Sequence, residues 1–137
     1  PLAYYEVETK DGWITRIRQY GEPDFRRART SLCYGDAGYP VRAESYDLDG
    51  SVNSTTLYEN GRKTEFVRGQ HRYRYTYRDG RLAMELYEGP GVRRQTTFEY
   101  VLDGKGNWTE MRTYVDDGRG RKALRREKRT IEYYGID

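Results

Sequence analysis

Five dipeptides set the rhythm of this chain: Asp11-Gly12, Asp49-Gly50, Asn60-Gly61, Asp79-Gly80 and Asp103-Gly104. Asn, Asp and Gly tolerate the positive φ that a tight hairpin demands, so each pair marks a chain reversal between two extended runs. Tyrosines recur just ahead of glycines: Tyr34 and Gly38, Tyr46 and Gly50, Tyr58 and Gly61, Tyr77 and Gly80, Tyr87 and Gly91. Tyr34, Tyr46 and Tyr58 are each 12 residues apart. A strand with its turn takes about 8–12 residues, so the spacing is that of an antiparallel meander. The prolines, at positions 1, 23, 40 and 90, fall at predicted turns or termini, where they cost no ladder hydrogen bond. Strands are expected at 3–9, 13–20, 27–34, 41–47, 52–58, 63–69, 71–78, 81–88, 93–102, 107–115 and 127–134.

The stretch HRYRYTYRDGRLAMELYE, His71 to Glu88, tests this reading. With Asp79-Gly80 as a two-residue turn, Tyr77 faces Leu82, Tyr75 faces Met84 and Tyr73 faces Leu86, all on one side. Arg74 then opposes Glu85 on the other side, and Arg72 opposes Tyr87. What looks like a basic, aromatic strip is one hairpin with an apolar face and a charged face. In the first hairpin, Lys10-Asp11-Gly12 is expected to form a three-residue loop with Gly12 in the left-handed region. Tyr5, Val7 and Thr9 would then share a face with Trp13, Thr15 and Ile17. Later strands alternate as Thr96, Phe98, Tyr100 and Leu102, then Trp108 and Tyr114, with Glu110 and Arg112 on the same side as the last pair. Polar residues on both sides predict a sheet that is solvated over much of both faces.

Composition bounds what such a sheet can be. The 137 residues are enough for one domain. Charged residues make up 34%, but 15 tyrosines and many β-branched residues separate the chain from disordered sequences of similar charge. Tyr buries a ring and leaves its hydroxyl in water, which suits a thin sheet. The net charge of +3, from 25 basic and 22 acidic residues, is too balanced for a dedicated polyanion binder. With Cys33 alone there is no intramolecular disulfide, and no apolar run approaches the roughly 20 residues of a membrane span. The chain starts at Pro1 without Met, so a signal or lipid anchor is expected to have been removed.

Candidate chemistry is sparse. His71 is the single histidine, and no Gly-x-Ser-x-Gly accompanies it. Cys33 and His71 are too few to bind zinc. Asp47-x-Asp49-Gly50 resembles part of a calcium loop but lacks the closing Glu, and it reads as a hairpin turn whose aspartates bond local N–H groups. Asp116-Asp117 also reads as a turn. Residues 118–129, GRGRKALRREKR, carry seven basic residues and one acid, and read as a long solvated hairpin loop. No cofactor, metal or catalytic residue is expected.

Tyr46-Asp47-Leu48-Asp49-Gly50-Ser51, Tyr58-Glu59-Asn60-Gly61-Arg62 and Tyr77-Arg78-Asp79-Gly80-Arg81-Leu82 resemble the YD repeat of RHS-type bacterial proteins. The resemblance covers about 34–134, and Gly106-Asn107-Trp108-Thr109 with Ile131-Glu132-Tyr133 is similar to the closing segments of short envelope relatives. It implies a β-rich scaffold in a secreted or surface protein, in some cases carbohydrate-binding, with enzyme chemistry housed elsewhere. It supplies no catalytic residue to carry over.

The expectation is therefore all-β: an antiparallel meander of successive hairpins, forming a thin, curled or open Tyr-rich sheet in a single domain over 1–137. The expected function is a non-catalytic binding or scaffold module of a periplasmic, outer-surface or secreted protein, with a glycan or another protein as ligand. Trp13, Tyr39, Tyr87 and Trp108 are the candidate ligand-stacking rings. The alternative is nucleic-acid binding through a basic face of Arg72, Arg74, Arg78, Arg121 and Arg125, and a third reading is a small enzyme.

Overall fold

The computed structural model describes residues 3–135. It is all-β, with eleven antiparallel strands whose order in the sheet is their order in the chain. They are β1 Tyr4–Lys10, β2 Trp13–Tyr20, β3 Ala28–Tyr34, β4 Pro40–Tyr46, β5 Val52–Glu59, β6 Arg62–Arg68, β7 His71–Arg78, β8 Arg81–Gly89, β9 Val92–Leu102, β10 Trp108–Asp116 and β11 Arg121–Lys128. β1 and β11 each have a single neighbour, so the sheet has two open edges and is not closed into a barrel. Two compact units divide at Arg74/Tyr75, within β7. Among the described residues no helix is long and apolar enough to cross a membrane.

The first ten strands lie within one residue of the sequence reading. The eleventh does not: the basic segment expected to be a loop is itself β11, over Arg121–Lys128, and 129–134 is not a strand. Asp116 closes a tight β10–β11 turn by accepting the N–H groups of Gly118 (2.9 Å) and Gly120 (3.3 Å). The cations then enter the ladder because neighbours neutralise them: Arg121 meets Glu99 at 2.6 Å, Arg126 pairs with Glu110, and Arg125 pairs with Glu127.

Two turn designs recur, in six of the ten connections between the described strands. Asp11-Gly12, Asn60-Gly61 and Asp79-Gly80 all have positive φ at both positions, which is the two-residue type I′ turn. The first hairpin thus closes in two residues, not the expected three, because Asp11 itself accepts φ 53°. The second design is a four-residue loop at 35–38, 47–50 and 103–106. In each loop the fourth residue, a glycine, donates to the carbonyl of the first at 2.9–3.1 Å. At 103–106 the positive-φ residue is Gly106, not the expected Gly104, and Asp103 accepts the N–H groups of Lys105 and Asn107.

Both designs are followed by the same irregularity. The register skips one residue, a β-bulge, three positions after the turn glycine: at Thr15 after Gly12, Val41 after Gly38, Asn53 after Gly50, Thr64 after Gly61 and Thr109 after Gly106. Where the bulged residue is Thr, its hydroxyl donates across to a carbonyl at 3.3 Å, from Thr15 to Glu8, Thr64 to Leu57 and Thr109 to Val101. The bulges re-aim side chains. Val7 pairs with Ile17, Thr9 with Ile14 and Lys10 with Trp13, so Trp13 leaves the face of Val7 on which the three-residue loop would have placed it. Trp108 turns to the side of Leu102 and Tyr100, leaving Glu110, Arg112 and Tyr114 on the other side, so the late-strand pattern expected above is corrected by one bulge.

Cross-strand partners share a face. In the first unit a continuous row of partners runs Val7, Ile17, Leu32, Ala43, Thr56, Phe66, Tyr73. The opposite face carries the row Glu8, Arg16, Cys33, Arg42, Leu57, Glu65, Arg74. In β7, Tyr73, Tyr75 and Tyr77 are half-buried while Arg72, Arg74, Thr76 and Arg78 are exposed. Even so, no hydrophobic side chain is buried among the described residues; the buried polar ones are Ser31, Glu110 and Thr113. Both faces of the sheet meet water.

Candidate functional site

The candidate rings occupy two kinds of place. Trp13 is 70% exposed and opens β2 directly after the Asp11-Gly12 turn. Tyr39 is 56% exposed, but its ring lies over Gly61, close enough that an added methyl there would touch it at 3.0 Å. Their hairpins turn at the same end of the first unit. Tyr87 and Trp108 belong to the second unit and are half-buried. Arg94, the cross-strand partner of Tyr87, holds its guanidinium 5.1 Å from that ring. Arg129 sits 3.7 Å from the Trp108 ring and donates to the Trp108 carbonyl at 2.6 Å, while Tyr100 packs against the indole at 6.4 Å. One face of Trp108 is therefore already covered.

Three rings not singled out from the sequence form a stack in the first unit. Tyr4 stacks on Tyr20 at 4.7 Å with planes 3° apart, and on Phe25 at 6.3 Å. The hydroxyl of Tyr4 donates to the Phe25 carbonyl at 2.6 Å, and that of Tyr20 to Glu6 at 3.2 Å. Tyr4 pairs with Tyr20 across β1–β2. The missing signal was Phe25, which lies in the β2–β3 connection outside any alternating run.

Also in the first unit is a groove of about 640 Å³. Its lining includes Gln19, Arg29, Thr30, Ser45, Asp47 and Asn53. Gln19, Thr30 and Ser45 are successive cross-strand partners, so register places their polar ends in line. Asn53 donates to Asp47 at 2.8 Å, Thr30 to Gln19 at 3.3 Å, and Arg29 to the Glu22 carbonyl at 2.6 Å. The groove thus presents an amide pair, hydroxyls, a carboxylate and a guanidinium, most with further bonding capacity. It lies within the size range of small-molecule sites, roughly 300–1,000 Å³. The neighbouring Asp49 serves its own turn, accepting the N–H (2.8 Å) and hydroxyl (2.5 Å) of Ser51, which hold its carboxyl below the usual carboxylate range.

On the charged face, Arg16 donates to the Cys33 sulfur at 3.3 Å. Glu44 lies below the usual glutamate range because it accepts from Tyr46 at 2.8 Å and from Arg42 at 2.5 Å. The residues of the proposed basic face are not brought together as free cations. Arg72 pairs with Glu65 at 3.0 Å, Arg121 with Glu99, and Arg125 with Glu127; Arg74 also has a partner, and Arg78 is exposed.

No protein-family model, curated protein or solved structure matches the chain.

Proposed function

We propose that this chain is a non-catalytic binding or scaffold module of a bacterial envelope or secreted protein, with a glycan or another protein as its ligand. One observation carries the reading: the sheet buries no hydrophobic side chain among the described residues. Its rings and aliphatic groups are displayed rather than spent on a core, and displayed apolar surface beside polar groups is the ordinary chemistry of a recognition surface. The polar groove of the first unit favours a glycan. Planar amide and carboxylate groups such as Asn53, Asp47 and Gln19 bond paired hydroxyls, and Trp13, at the other end of β2 from the groove, offers a separate stacking face.

A glycan array probed with the purified chain tests this, with Trp13→Ala and Asn53→Ala as controls. A reproducible hit lost in a control variant identifies a carbohydrate-binding module. A blank array moves the reading to a protein ligand, sought by cross-linking capture, and a blank capture as well would overturn it. New reducing ends generated from a glycan hit would overturn the non-catalytic part.

A further inference from the structure

We infer that β11 is a docking edge for an acidic, extended peptide segment, which joins the sheet as an additional antiparallel or parallel strand. This goes beyond the function proposed above and concerns a different surface, so it stands whether or not the groove binds a glycan. β11 pairs only with β10, which leaves its outer edge unpartnered among the described strands. The N–H of Arg129 bonds the carbonyl of Thr109 at 2.9 Å, continuing the β10–β11 ladder. Backbone groups alternate in direction along an antiparallel strand, so the N–H and C=O groups of Arg126 and Lys128 point away from β10. The register skip of this strand falls at Leu124, which leaves Arg125–Lys128 regular. A free regular edge with outward donors and acceptors is the template used in strand addition.

Charge selects the occupant. Arg121, Lys122, Arg125, Arg126 and Lys128 stand on β11 against a single acid, Glu127. Glu99, Glu110 and Glu127 neutralise the arginines from within the fold, but Lys122 and Lys128 are exposed and make no ion pair among the described residues. Cations on an edge deter pairing with a like strand. They do the opposite for a strand bearing Glu or Asp, since opposite charges directly across a ladder attract. Leu124, 67% exposed, offers an apolar contact beside the same edge. Arg126 and Lys128 share one face of the sheet and Arg125 and Glu127 the other, so the occupant turns its acids to the first face and β-branched residues to the second.

The test adds a synthetic peptide of about ten residues, alternating Glu with Val, to the full chain. Affinity is measured together with amide hydrogen exchange. The expected result is binding that slows exchange at 125–128. N-methylation of alternate peptide residues, which removes backbone donors but keeps the charge, should weaken binding by about tenfold or more. Lys122→Glu with Lys128→Glu, two exposed positions, should do the same without unfolding the chain. Equal binding of the N-methylated peptide would mean general attraction of polyanions and would overturn the inference. So would an absence of binding, or protection appearing at β1 instead. Concentration-dependent protection of 125–128 without any peptide would make the occupant a second copy, and would also overturn it.

Discussion

At Gly61 an added methyl group meets two costs. The backbone sits at φ 77°, a region that L side chains rarely enter, and the new Cβ would touch the Tyr39 ring at 3.0 Å. Gly12 has nearly the same φ, 82°, with nothing within 4 Å. Gly12→Ala should therefore cost only the backbone term, ~1–2 kcal/mol, and Gly61→Ala measurably more in urea unfolding. Equal losses would show that the Tyr39 ring moves aside freely. A second residue-scale prediction concerns Glu110. The guanidinium of Arg126, with Arg112 at 3.2 Å, holds its carboxyl below the usual glutamate range. A depressed folded pKa means that the ionised form is favoured by folding. The resulting stability is fully present above the unfolded value, about 4.3, and is lost as pH falls through the lower folded value. Between pH 5 and pH 2 the urea midpoint of Glu110→Gln should thus fall less steeply than that of the parent chain. Parallel curves would show that the pair contributes nothing in solution. Such pairs were invisible in the sequence: that Glu110 meets Arg126 depends on register across a ladder, and bulges set that register.

Elements were legible where one face is apolar and the turn chemistry is strict. β7 was readable because Tyr73, Tyr75 and Tyr77 alternate with polar residues, Arg72, Arg74, Thr76 and Arg78, up to an Asp-Gly turn, and the type I′ geometry there follows from Asp79 and Gly80 both taking positive φ. β11 was not, since cations occupy both of its faces and their partners, Glu99 and Glu110, come from β9 and β10. The bulges were also missed, although a trace is present: a turn glycine followed three residues later by Thr, as in Gly12-Thr15, Gly61-Thr64 and Gly106-Thr109. The bulge after Gly106 decides the fate of Trp108. It carries the indole to the Tyr100 side and under Arg129, whereas Trp13, beside its turn, stays in water. Trp108→Ala should accordingly destabilise by about 1–3 kcal/mol, including ~0.5–1 kcal/mol from the lost cation–π contact. Trp13→Ala should stay within about 0.5 kcal/mol of the parent. Denaturant midpoints check both. A large loss at Trp13 would remove it from the ligand-stacking candidates, and no loss at Trp108 would return it to them.

Across the whole molecule, the accessible surface is 10310 Å² for 16.3 kDa. A compact monomer of that mass exposes about 7,500 Å² and its unfolded chain about 23,600 Å². The fold therefore buries roughly 56% of the unfolded surface, less than the ~60% of an ordinary 60-residue domain. The sequence anticipated the direction, through many tyrosines and few aliphatics, but not the extent. Whether a half-polar strand packs under a second layer depends on distant parts of the chain, and alternation along one strand does not report it. The thermodynamic consequence follows from area. Unfolding heat capacity grows with the apolar surface exposed, and an ordinary chain of this length gives about 1.6–2.1 kcal/mol/K. Calorimetry on the isolated chain at low concentration should give less than about 1.6 kcal/mol/K, with a urea m-value correspondingly low for the length. A heat capacity in the ordinary range would mean that the displayed apolar rows are covered in solution. Repeating the scan at rising concentration then separates the causes: a midpoint that climbs with concentration identifies a second copy as the cover, because association stabilises by mass action. A low value at every concentration leaves both faces in water, as the proposed binding role requires.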